Sequence, residues 1–201
     1  MVADPVLQTA RLVLRRFTGD DVDLLVELDS DPEVMRFLGN GKPTPREAAE
    51  RTLQAVIEAY DRYPGYGCWA AYERATGSFV GWFALCPAEG KPVDVPELGY
   101  RLRRAVWGRG YATEGSRALV AKAFTELGAR RVWAETMAVN TGSRRVMEKA
   151  GLRYLRTVHL EWDDPLPGTE HGEVEYAVDR ADWLAAEAGD GATTGHLGSA
   201  G

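Results

Sequence analysis

At 201 residues, the chain suits one domain with a sizeable core, and its apolar (45%) and charged (27%) fractions are those of an ordinary folded protein. Thirty acidic against twenty-four basic residues give a net charge of −6, scattered along the chain, so bulk charge does not suggest a nucleic-acid-binding surface. No apolar run approaches the roughly 18 residues that span a bilayer, no basic-then-apolar leader opens the chain, and Cys68 and Cys86 lie apart from any Cys/His cluster with metal-ligand spacing. The expectation is a cytoplasmic protein with structural thiols, no metal and no membrane or nucleic-acid partner.

In chain order, Arg11–Phe17 reads as a first strand, ended by Thr18 and Asp21 in a capping-box arrangement. Val22, Leu25, Val26 and Leu28 then make a helical apolar stripe, and Pro32 sits at the tolerated first position of a second short helix. Thr44-Pro45-Arg46-Glu47 reads as a fuller capping box, opening a helix that buries Leu53, Val56, Ile57 and Tyr60. From Gly67 the period changes to two: Cys68–Tyr72 and Phe79–Leu85 form a hairpin around Ala75-Thr76-Gly77, and a loop with Gly90, Pro92 and Pro96 delivers the strand Glu97–Leu102. A helix running to about Leu127 follows, then a strand Arg131–Thr136, a helix Thr141–Ala150 stopped by Gly151, and strands near Leu152–Trp162 and Glu173–Val178. One domain is drawn over residues 1–184, and from Ala185 the Gly, Ala, Thr and Ser content predicts a disordered C-terminal tail, 185–201.

The most informative stretch is Leu98–Thr113, LGYRLRRAVWGRGYAT, in which a strand runs into a glycine-bearing turn and a helix start. Such a turn leaves backbone N–H groups unpaired at the positive end of the helix dipole, with Cβ bulk removed, and so suits a diphosphate. A nucleotide P-loop is excluded, because Tyr111 and Ala112 stand where Lys and Ser/Thr are required. The dinucleotide fingerprint fits Gly108 and Gly110 but then meets Thr113, and half the chain precedes it. The arginines at 101, 103, 104, 109, 117, 144 and 145 are expected to help hold phosphates.

Trp107-Gly108-Arg109-Gly110-Tyr111-Ala112 resembles the acyl-coenzyme-A loop of the GNAT N-acetyltransferase superfamily, Q/R-x-x-G-x-G/A, with Trp in the first slot as in the ribosomal-protein-alanine (Rim-type) branch. TARLVLRRFTGDDVDLLVELDSDPEVMRFLG resembles the opening of that branch, and Asn140–Leu152, NTGSRRVMEKAGL, its second coenzyme-contacting helix. The resemblance implies an α/β (α+β) fold with a central mixed, mostly antiparallel sheet flanked by helices. It also implies acetyl-CoA as co-substrate and transfer to a primary amine, of a protein N-terminus or a small molecule, by direct attack, in an enzyme that often dimerises.

By that resemblance, backbone N–H groups near Leu102 and Arg103 face the pantetheine arm, Arg104 lies beside them, and Gly108, Arg109, Gly110, Tyr111, Ala112 and Thr113 hold the pyrophosphate. Asn140 contacts the pantetheine or fixes a water, and it can serve as the helix N-cap as well or instead. Many GNAT enzymes protonate the leaving thiolate with a tyrosine in that helix, but Met147 occupies the slot, and Ser143, one turn after Asn140, takes the role in the Rim-type branch. Glu97 is the first candidate for the base, with Glu135, Glu161, Glu173, Glu175 and His159 as rivals. Two other classes use the same loop: a non-catalytic acyl-CoA sensor, which dispenses with Ser143 and Glu97, and a dinucleotide-binding oxidoreductase.

Overall fold

The computed structural model describes residues 5–193. Strands β1 (Pro5–Gln8) and β2 (Leu12–Arg16) precede helices α1 (Val22–Asp29), α2 (Pro32–Met35) and α3 (Arg46–Arg62). Strands β3 (Gly67–Glu73), β4 (Phe79–Cys86) and β5 (Glu97–Leu102) follow. The chain then alternates through α4 (Tyr111–Thr125), β6 (Arg131–Met137), α5 (Thr141–Lys149), β7 (Arg153–Val158), β8 (Glu173–Asp179) and α6 (Arg180–Thr193). The strands join one sheet in the order β1-β2-β3-β4-β5-β6-β8-β7. Every pairing is antiparallel except β5 with β6, because α4 is the crossover between them and returns the chain to the same end of the sheet.

Strand alternation sorts the core into two layers. On one face Phe83, Leu85, Leu98, Leu102, Val132, Ala134 and Val174 meet Leu119, Val120, Ala123 and Phe124 of α4 and Met147 of α5. On the other, Ala70 and Phe79 meet Leu25 and Leu28 of α1 and Ala49 and Leu53 of α3. Helix α4 comes unusually close to the sheet at Gly115, where a Cβ would lie 2.4 Å from the Phe83 ring. No described helix is long and apolar enough to cross a membrane.

Three local expectations are corrected. The first strand pairs with a further one, β1, whose four residues are too short to show a period. The Thr44 capping box does not form: Pro45 is the N-cap of α3, and the Thr44 hydroxyl donates instead to Asp29 Oδ2 at 2.8 Å. The stretch from Ala185, read as disordered, is helical to Thr193, continuing a helix anchored by Trp183, whose ring lies 5.4 Å from that of Phe124; its Ala-rich sequence is a good helix former once docked. Residues 194–201 of that tail lie outside the described residues. At Thr18 the anticipated box is present, with the Asp21 carboxylate accepting from the Thr18 N–H at 2.7 Å.

Candidate active site

The ladder between β5 and β6 holds a single pair, Glu97 with Trp133, after which the two strands diverge. On its other side β5 is fully paired with β4, and the Arg103 N–H continues that ladder by donating to Val80 O at 3.0 Å. Alternation along an antiparallel strand therefore turns the N–H groups of Leu102 and Tyr100 toward the β6 side, where no ladder continues. The result is a wedge-shaped opening lined by backbone donors. The Arg103 N–H, expected to face the same opening, is instead spent on Val80.

The wedge leads to the glycine loop. Gly108 and Gly110 have φ of +74° and +83°, the left-handed region open to glycine, and Gly110 is the N-cap of α4. Among the described residues, no acceptor is found for the N–H groups of Gly108 to Thr113. Six successive donors at the positive end of a 15-residue helix fit a diphosphate. The Tyr111 side chain is engaged elsewhere. Its ring is buried beneath the Arg11 guanidinium, 4.5 Å from the centroid, and its hydroxyl is bonded to Glu73.

The loop is braced from the turn between β1 and β2, which sequence reading missed. Arg11 Nη1 donates to Arg109 O at 2.8 Å and Nε to Glu114 Oε2 at 2.6 Å, while Thr9 Oγ1 and the Arg11 N–H both donate to Glu114 Oε1. Burial raises the Glu114 carboxyl, but these donors outweigh it and hold the group below its ordinary value. Trp107, half exposed, ties the loop back to the strand by donating Nε1–H to Leu102 O at 2.8 Å.

The arginine cluster is largely committed elsewhere. Arg101 and Arg103 project to the α1 side, where they pair with Asp29 and Glu27, each at 2.5 Å. Arg144 donates to Tyr176 Oη and Ala138 O, and Arg117 Nε to Lys149 O. Arg104 and Arg109 are exposed, and no ion pair involves either among the described residues. Beyond Gly110 a groove of about 950 Å³ follows Thr113 and Arg117 of α4 to Lys149 and Gly151.

Asn140 caps α5: its side-chain oxygen accepts from the Ser143 N–H at 3.2 Å and its amide donates to Thr136 Oγ1 at 3.1 Å. Ser143 is partly buried, and its Oγ lies 2.9 Å from Tyr100 Oη, a partner that sequence reading missed. The same phenol reaches the Ser143 carbonyl at 3.0 Å. Burial lifts Tyr100 to about 12, against the lowering effect of its bond to Ser143. Met147, one turn on, is buried and has no proton to give.

Glu97 is three residues before Tyr100 on β5, so the two side chains project from opposite faces. Burial raises the Glu97 carboxyl, the nearby Glu135 raises it further, and Lys91 pulls it down. Cys86, opposite Glu97 on β4, is pushed up to about 11 by burial and by that same carboxylate, and burial likewise raises Cys68. Glu173 is likewise raised by burial and by Glu135. Glu175 is instead held down by bidentate bonds from Arg156 at 2.9 Å. Glu161 and His159 lie exposed between β7 and β8.

A parallel strand pair that opens over a glycine-capped helix is the arrangement of an acyltransferase built around a nucleotide-bearing thioester. Residues 11–153 match the family model described as "Acetyltransferase (GNAT) domain", and the chain belongs to that family. FsC-acetyl coenzyme A-N(2)-transacetylase of Aspergillus fumigatus is 38% identical over 188 residues, 90% of this chain and 79% of the relative. Among solved structures, RimL, the ribosomal L7/L12 alpha-N-protein acetyltransferase in complex with coenzyme A, is 17% identical with a TM-score of 0.73, covering 88% of this chain and 98% of that one. A GNAT-family acetyltransferase from Bacillus anthracis is 23% identical with a TM-score of 0.70, covering 87% and 98%. The two structures agree with this chain in fold.

Proposed function

We propose that the protein transfers an acetyl group from acetyl-CoA to a primary amine by direct attack, without an acetylated enzyme. The observation that carries this reading is the wedge between β5 and β6, open on the N–H groups of Tyr100 and Leu102 and continuous with the free donors of Gly108 to Thr113. The name of the Aspergillus relative supports acetyl-coenzyme A as donor and a nitrogen as acceptor.

The co-substrate supplies a thioester, an activated acyl group on a thiol leaving group. The N–H groups of Gly108 to Thr113 would hold its diphosphate, and those of Tyr100 and Leu102 its pantetheine amides or the oxyanion that forms on the acyl carbon. Such donors are fixed before the charge appears, which makes them effective. Glu97 and Ser143 act from opposite faces of the wedge. Glu97 accepts the amine's proton on the α1 side, and Ser143 hydrogen-bonds the departing sulfur on the α5 side.

Calorimetric titration with acetyl-CoA and, separately, NADH tests the reading first, followed by coenzyme release with an amine panel that includes FsC and an L7/L12 N-terminal peptide. Acetyl-CoA binding with amine-dependent release supports it. Binding without release across the panel would make the protein an acyl-CoA sensor, and an NADH response alone would make it an oxidoreductase. Gly110→Asp is expected to abolish acetyl-CoA binding, since its carboxylate would repel a diphosphate and its Cβ would occupy a left-handed position 3.3 Å from Arg11 Nη2.

A further inference from the structure

We propose that Tyr100 is the positioning residue that turns the Ser143 hydroxyl toward the departing sulfur. This rests on the acetyl-transfer reading and adds to it a side chain from β5 that acts only through Ser143. The phenol oxygen lies 2.9 Å from Ser143 Oγ and 3.0 Å from Ser143 O, so one phenolic hydrogen has two acceptors on the same residue. Donated to the carbonyl, it leaves the phenol oxygen to accept from Ser143, and the serine hydrogen then points away from any third partner. Donated to Ser143 Oγ, it frees the serine hydrogen. Exchange between the two states moves hydrogens only.

Negative charge growing on the sulfur favours the second state, because a hydroxyl that donates to an anion is stabilised when it accepts a bond in turn. Both hydroxyls keep their protons. The C–N bond forms and the C–S bond breaks; Glu97 takes the proton lost by the attacking nitrogen and passes it to water, and the departing thiolate, held by the Ser143 hydroxyl, takes one proton from water. Burial keeps the phenol protonated at working pH, so a hydrogen is always present to exchange. The Asn140 cap fixes the backbone of Ser143, so the hydroxyl rotor is the freedom that remains. A tyrosine that merely anchored α5 would need only its bond to the Ser143 carbonyl.

The two roles separate in a double-mutant cycle of Tyr100→Phe and Ser143→Ala, measuring kcat with saturating amine, acetyl-CoA affinity and Tm. Tyr100→Phe is expected to lower kcat about tenfold or more, as misaligned groups do, with affinity unchanged, and to cost nothing further once Ser143 is alanine. Tyr100→4-aminophenylalanine, which restores a donor in the same place, is expected to recover most of the rate and keeps the test open if Tyr100→Phe fails to fold. Additive losses, or no recovery by the amino variant, would overturn the proposal and leave acetyl transfer standing. Absence of amine-dependent turnover in the wild-type protein would overturn both.

Discussion

Arg11 and Glu114, 103 positions apart, brace the glycine loop: one guanidinium bonds the Glu114 carboxylate at 2.6 Å and the Arg109 carbonyl at 2.8 Å. Glu114 sits in the first turn of α4, where a carboxylate suits the helix dipole but competes with an incoming anion. Arg11 neutralises it while fixing the loop.

Arg11→Ala is therefore expected to weaken acetyl-CoA binding about tenfold, roughly 1.4 kcal/mol, with a loss that grows as salt is lowered. Calorimetry at two ionic strengths checks this; affinity unchanged at both would show that the loop holds its shape unaided.

Ser143→Ala is expected to lower kcat about a hundredfold, the scale for one donor to a developing charge, while acetyl-CoA affinity stays within twofold. Equal losses in rate and affinity would make Ser143 a binding residue.

As the proposed base, Glu97 is expected to set the acid limb of activity. A base works only when ionised, and burial together with Glu135 raises this carboxyl above its ordinary value. Activity should fall as pH drops through a midpoint above about 4.3, the usual value for a glutamate. Glu97→Gln should remove that limb and lower kcat about a hundredfold. The sign for stability is opposite: the ionised group is disfavoured by folding, so Tm at neutral pH should hold or rise in the variant. An unchanged pH profile would transfer the role to Glu135 or Glu173.

Gly115→Ala tests the packing of α4. The added methyl would lie 2.4 Å from Phe83, so helix or strand must shift, at a cost of about 1–3 kcal/mol that outweighs alanine's better helix propensity. A Tm lowered by several degrees, with weaker acetyl-CoA binding as the loop moves with its helix, is the expected result; a raised Tm would show that Phe83 yields freely.

Local rules made most of the fold legible. Pro32 at a helix start, the Asn140 cap and the alternation of Glu97–Leu102 are each decided within a few residues, and the structure follows them. What escaped was decided at a distance. Thr44 carries the signature of a cap, but Asp29, brought near by α1, takes its hydroxyl. Arg103 looked like a phosphate ligand because it neighbours the loop in sequence, yet strand alternation aims it at Glu27. In the site, the glycines were readable because a left-handed backbone admits little else. Tyr100 was not, since a tyrosine in a strand reads as core until the helix 43 residues later brings Ser143 onto it.

The single rung between Glu97 and Trp133 divides the sheet into five strands on one side and three on the other. Edge to edge, backbone bonding across that seam stops almost as soon as it starts, and the helices carry the remaining connection. A bound pantetheine arm would serve as a removable strand, stitching the halves when it arrives and leaving a seam when it departs. On the acetyl-transfer reading, each catalytic cycle thus repairs and reopens the protein's own sheet. Amide exchange at Tyr100 and Leu102 would report whether the seam is filled.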